Sequence, residues 1–188
     1  MIANVLLFLG IAVAGGLGSS WYMIERGTRL TTQQNGPWVA WTAAGRADAD
    51  PYTRAHFIRR GMLPVSSTLG LSYHATTDSE GQALYSSCDY AVEGEEPAAA
   101  FWSLAAFNEK GSLIPNPAER YSFNSATIMR PPNGRLDVRL ARNARPGNWL
   151  PTGGAGRIAL VLTIEEPRGG SEQTLSLPMP SIRRIACR

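Results

Sequence analysis

The chain has 188 residues, enough for one domain with its own core and too few for two ordinary ones. Its net charge of +3 comes from 17 Arg and a single Lys against 15 acidic residues, with no clustered basic run, RNA-binding aromatic motif or zinc-finger spacing. That balance argues against nucleic acid as a partner.

Residues 2–24 carry no charge, and Leu6-Leu7-Phe8-Leu9-Gly10-Ile11-Ala12-Val13-Ala14 is the apolar centre of that run. A helix rising roughly 1.5 Å per residue over this length crosses a hydrocarbon layer of about 30 Å. Trp21 and Tyr22 stand where an interfacial aromatic pair belongs, and Glu25-Arg26 ends the run. The segment 1–25 therefore reads as a transmembrane anchor. A cleaved signal peptide is the competing reading, but no Lys or Arg precedes the run and it continues past the small-residue site at Ala12-Val13-Ala14. Ala12, Gly16 and Ser20 recur every fourth residue, which suits a helix–helix contact in lipid and hence a homo-oligomer through the anchor. The ordinary Gly and Ala content of such segments accounts for the same spacing.

Residues 26–36 read as a polar tether, and residues 37–188 as the folded domain. Trp38-Val39-Ala40-Trp41 predicts a short strand. Asp50-Pro51 predicts a helix start, with Asp as cap and Pro at the first helical position, and Gly61 its stop. The basic residues Arg54, Arg59 and Arg60 read as a solvated face, with contact to lipid headgroups or an anionic ligand as the functional alternative.

From Leu69 the hydrophobic period becomes two. Leu71, Tyr73 and Ala75 alternate with polar residues up to a turn at Asp78-Ser79-Glu80-Gly81, and Leu84, Ser86, Cys88, Tyr90 and Val92 share a face of the next strand. Residues 100–107 predict a more fully buried strand closed by Asn108-Glu109-Lys110-Gly111. Leu136, Val138 and Leu140 point inward on another strand after Pro131-Pro132-Asn133-Gly134. Ile158, Leu160, Leu162 and Ile164 form one face of the next, before a turn at residues 166–170. A last strand is predicted around residues 174–177, continuing toward Ile182. Short strands between Gly/Pro turns mean an antiparallel β-sandwich, mainly β with one short helix.

Catalytic patterns are absent from the sequence. His56 and His74, even with Cys88 and Cys187, have no local zinc-ligand spacing, so no metal and no other cofactor is expected. Ser72, His74 and Asp78 make a triad on paper only, without a nucleophile elbow. Glu93, Glu95 and Glu96 read as a solvent-facing acidic turn. No Gly-rich loop links a strand to a helix for a nucleotide. The two cysteines leave two readings open: a Cys88–Cys187 disulfide in an exported domain, or two buried thiols in a cytosolic one. A Cys so near the chain end gains little by burial, which favours the bridge.

A set of spaced elements carries a family resemblance. They are Ala75-Thr76-Thr77-Asp78 with Gly81, Tyr90, Phe101-Trp102-Ser103-Leu104, Gly111, Pro115-Asn116-Pro117, Arg120-Tyr121-Ser122, Gly134, Gly147-Asn148-Trp149-Leu150-Pro151 and Leu160-Val161-Leu162. Over roughly residues 52–167 the chain resembles the bacterial "domain of unknown function 1214" family. The resemblance implies a jelly-roll-like sandwich and an exported setting, often behind a second domain. This chain, with an apolar anchor in that place, looks like a short membrane-anchored branch. The family has no catalytic residues to carry over.

The Asn148-Trp149-Leu150-Pro151 element reads either as a loop whose indole plugs the sandwich end, or as part of a ligand platform. In the second reading Trp102 and Trp149 stack on a sugar or other flat ligand, with Arg120 and Asn148 as polar contacts. The leading functional expectation is a non-catalytic binding or accessory module, held on the bacterial inner membrane with its domain in the periplasm. Its partners would be the membrane itself and an envelope carbohydrate, lipid or protein. The alternative is a hydrolase-like enzyme on envelope carbohydrate or ester substrates, with Asn148, Arg120, His74 or Asp78 converging in a cleft. One feature points to the cytoplasm instead: Arg26 and Arg29 follow the apolar run and nothing basic precedes it.

Overall fold

A computed structural model of the chain describes residues 2–154, 156–167 and 178–187. The uncharged N-terminal run is one helix, α1 (Ile2–Arg26), with no buried residue. It is long and apolar enough to cross a membrane. Gly27 ends it at φ +70°, and its N–H returns to the Met23 carbonyl at 3.0 Å, closing the helix with a left-handed residue. A Cβ there would also run into the Thr32 side chain.

The segment expected to be a tether does not hang free. A turn at residues 28–31 leads into β1 (Thr32–Asn35), which pairs antiparallel with β2 (Trp38–Trp41). α2 (Pro51–Arg59) starts where Asp50-Pro51 predicts: the Asp50 carboxylate accepts from the Tyr52 and Thr53 N–H groups, each at 3.0 Å. Arg60 is the C-cap and Gly61 follows at φ +62°.

The remaining strands are β3 (Gly70–Ala75), β4 (Cys88–Gly94), β5 (Ala99–Asn108), β6 (Ser122–Asn124), β7 (Leu136–Ala141), β8 (Asn148–Pro151), β9 (Ile158–Pro167) and β10 (Ser181–Cys187). They form a six-stranded antiparallel sheet, β1-β2-β3-β9-β5-β6, and a four-stranded sheet, β10-β4-β7-β8. One core joins the two sheets. Trp38, Tyr73, Trp102, Leu104, Leu160, Leu162 and Ile164 face Tyr90, Val92, Val138, Leu140, Leu150 and Ile182. The period-two patterns of β3, β7 and β9 therefore mark the inner faces, as read from sequence.

Two elements differ from expectation. β5 is not buried on both faces: Trp102, Leu104 and Ala106 point inward, while Phe101 is 36% exposed. The Asn-Trp-Leu-Pro element is a strand, β8, and it runs parallel to β7 with Val138 opposite Asn148 and Ala141 opposite Pro151. The predicted strand at residues 174–177 lies outside the described residues.

Candidate functional site

The first candidate region is the junction of α1 with the domain. α2 lays Thr53 and His56 inward. The His56 ring lies 4.1 Å from Trp41 between centroids, and Phe57 packs edge-on against both rings. His56 Nδ1 is 2.7 Å from the Ile24 carbonyl, so the tautomer carrying Nδ1–H donates to one of the free carbonyls at the end of α1. Burial lowers the His56 pKa, which keeps that tautomer neutral. Arg59 places its guanidinium 3.8 Å from the Trp21 ring centroid and its Nε 3.0 Å from Glu25. Arg60 reaches the same carboxylate at 3.4 Å. On β3 beneath, burial and then the charge of Arg60 push His74 down to about 4. Sequence patterning read Arg59 and Arg60 as a solvated face; their partners lie some 35 positions away, and no local signal marks them.

The residues expected to bind a ligand fall into two places. Trp102 is 1% exposed and its Nε1–H donates to Glu96 at 2.9 Å, so its ring face is enclosed in the core. Asn148, Trp149 and Arg120 do come together, on and beside β8. Asn148 is buried: its Oδ1 accepts from the Met129 N–H at 2.8 Å, and its Nδ2 donates to the Met129 and Asp137 carbonyls at 2.7 and 2.9 Å. The half-buried Trp149 donates to the Ala141 carbonyl, and Arg120 donates to the Trp149 carbonyl at 3.2 Å. Each polar atom named here is engaged in joining β8 to its neighbours.

Cys88 and Cys187 are joined in a disulfide between directly opposed residues of β4 and β10. Ser72 and Asp78 have other partners. Ser72 meets Thr163 at 3.1 Å, while Asp78 accepts from the Glu80 and Gln82 N–H groups and faces Arg184 at 3.0 Å.

The second candidate region is an open cleft of about 650 Å³ along the start of β5, lined by Glu96, Ala98, Phe101, Ser125 and Arg130. Arg130 grips both Glu96 carboxylate oxygens, at 2.8 and 2.6 Å, and the Ser125 carbonyl at 2.7 Å. That fork, followed by the Trp102 N–H, holds the Glu96 carboxyl below its ordinary range. A carboxylate so held stays ionised at neutral pH. It suits orientation and binding of a polar ligand better than proton delivery. The sequence reading of Glu96 as a solvent-facing turn misses this, because Arg130 lies 34 positions away. The sheet register sets Phe101 opposite Glu165, and Glu165 opposite Gly70, so the cleft lies toward the end of the sheet where Trp41 and α2 pack. Among the described residues, no group of three or more His, Cys, Asp or Glu could hold a metal.

A family model described as "Protein of unknown function (DUF1214)" matches residues 70–169, more than half of the chain. The chain belongs to this family. The match runs from β3 to the end of β9, so the cleft and β8 are family territory and the α1–α2 junction precedes it. No curated protein sequence matches this DUF1214 chain. Among solved structures, the VPA0106 protein of Vibrio parahaemolyticus shares the fold at a TM-score of 0.63 and 19% identity, over 77% of this chain and 40% of that one. An uncharacterised protein from Burkholderia cenocepacia aligns at 0.45 and 19% identity, over 63% of this chain and 30% of that one. The DUF1214 chain thus spans less than half the length of either.

Proposed function

We propose that this DUF1214 protein is a single-pass bacterial inner-membrane protein that presents a disulfide-locked β-sandwich to the periplasm, as a non-catalytic binding or accessory module of the cell envelope. The observation that carries this reading is the Cys88–Cys187 bridge on a domain that follows an apolar helix with no buried residue. Disulfides persist outside reducing compartments, and a 25-residue helix with no buried side chain needs a lipid or protein environment to cover it. The binding role is supported by the engagement of the candidate polar groups. Asn148, Asp78 and Glu96 hold the fold together, and the cleft offers an aromatic wall at Phe101 beside a clamped ion pair rather than a titrating acid–base pair. A carbohydrate or other polar envelope ligand suits such a surface.

The test is mass spectrometry under non-reducing conditions on protein purified from the membranes of its own host. An intact N-terminal helix with a Cys88–Cys187 bridge is the expected result. Free thiols in that preparation would overturn the periplasmic assignment and agree instead with the Arg26 and Arg29 flank. Turnover of an envelope substrate by the purified protein, lost on Arg130→Ala, would overturn the non-catalytic role.

A further inference from the structure

α2 packs on the end of α1 in an antiparallel sense. His56 meets the Ile24 carbonyl, and one turn later Arg59 lies over Trp21, three residues further back along α1. At roughly 1.5 Å per residue, that step carries the C-terminal end of α2 about 4.5 Å back toward the apolar centre of α1. The chain then turns through Gly61 into Met62 and Leu63. Here the domain exposes large apolar side chains: Ile58 is 78% exposed, Met62 37% and Leu63 99%.

The charges around this elbow are mostly basic. Arg26 and Arg29 are exposed, and Arg59 and Arg60, each about half exposed, share the single carboxylate of Glu25. Asp48 and Asp50 stand at the other end of α2, where Asp50 caps it and Asp48 pairs with Arg46. Apolar side chains with flanking arginines, at the level of an interfacial tryptophan, match the chemistry of an anionic bilayer surface.

We propose that the elbow after α2 dips into the bilayer interface, with Ile58, Met62 and Leu63 at the headgroup–acyl boundary and the flanking arginines on anionic headgroups. This rests on the reading of α1 as a membrane span. The consequence is orientation: the sandwich is seated on the bilayer by two adjacent attachments instead of swinging on a tether, and the Glu96–Arg130 cleft faces a set direction close to the lipid.

The test uses the full chain in vesicles of phosphatidylcholine with a minor share of phosphatidylglycerol. A fluorophore is placed singly through Leu63→Cys, Leu9→Cys or Lys110→Cys, with the native pair left bridged. Leu9 lies in the apolar run of α1, and Lys110 sits in the turn after β5, at the opposite end of the sheet from Gly70. Lipids brominated near the headgroup or deep in the tail then serve as quenchers.

The expected result is deep quenching at Leu9, shallow quenching at Leu63 several-fold above that at Lys110, and a weaker Leu63 signal when phosphatidylglycerol is omitted. Quenching at Leu9 with Leu63 no different from Lys110 would overturn the seated elbow while leaving the span intact. No quenching at Leu9 would overturn the span and the elbow with it. A Leu63 signal unchanged without phosphatidylglycerol would overturn the headgroup contacts.

Discussion

The Arg59 guanidinium lies 3.8 Å from the centre of the Trp21 ring and also pairs with Glu25 at 3.0 Å. One side chain of the domain thus grips both an aromatic ring and the polar end of the apolar helix. With the His56–Ile24 hydrogen bond, it makes α1 and α2 a continuous piece of structure.

Arg59→Ala should loosen that grip without unfolding the sandwich. Cation–π and exposed ion-pair contacts are each worth about 0.5–1 kcal/mol. Hydrogen exchange on the full chain should show faster exchange at residues 24–32 and unchanged protection in β9. Equal loss of protection in β9 would mean that the junction is part of the cooperative core.

The disulfide closes a sequence separation of 99 residues. In the chain-entropy model a loop of that size stabilises by about 5 kcal/mol. Cys88→Ser should lower the denaturation midpoint substantially and abolish its dependence on reductant. An unchanged midpoint would show that the rest of the β10–β4 edge, with the Arg183–Glu93 and Arg184–Asp78 pairs, suffices alone.

Acid stability should be governed first by the histidines. His74 titrates at about 4 in the folded protein against 6.5 in the unfolded chain, and His56 is lowered as well. The unfolded chain therefore binds more protons, so stability falls as pH drops from 6.5 toward about 4. The His74 contribution lost across that window is about 3 kcal/mol. Denaturation midpoints measured across it should decline, and His74→Gln should flatten the decline. A level profile in the parent protein would contradict the burial of a neutral His74.

Asn148→Ala removes three hydrogen bonds and leaves Met129 and Asp137 backbone groups unpaired beside a buried site. A loss of about 2–4 kcal/mol is expected, since each unsatisfied buried group costs about 1–3 kcal/mol. If Asn148 were instead a ligand contact, thermal stability would hold and only binding would fall.

Glu96→Gln tests the cleft. It keeps an acceptor for the Trp102 N–H but removes the charge that Arg130 grips. A small stability loss of about 1 kcal/mol is expected, with the surface pair partly screened by solvent. Under the proposed binding role, affinity for a polar ligand at Phe101 should change far more than the melting temperature does.

Short-range patterning alone made part of this fold legible along the chain. The uncharged run marked α1, Asp50-Pro51 and Gly61 bounded α2, and the alternation in β3, β7 and β9 marked the core face, because side-chain direction repeats locally at 3.6 or 2 residues. The spaced aromatic and Asn-Trp-Leu-Pro elements marked the family, and the even cysteine count raised the bridge. Long-range contacts set the rest. They folded the supposed tether into β1, made the Asn-Trp-Leu-Pro element a parallel strand, enclosed Trp102, and turned Glu96, Arg59 and His56 into joints. Those outcomes depend on Arg130, Trp21 and Ile24, which lie 34, 38 and 32 positions away. Hydrogen bonds and ion pairs act over a few ångströms in space and leave no period along the chain.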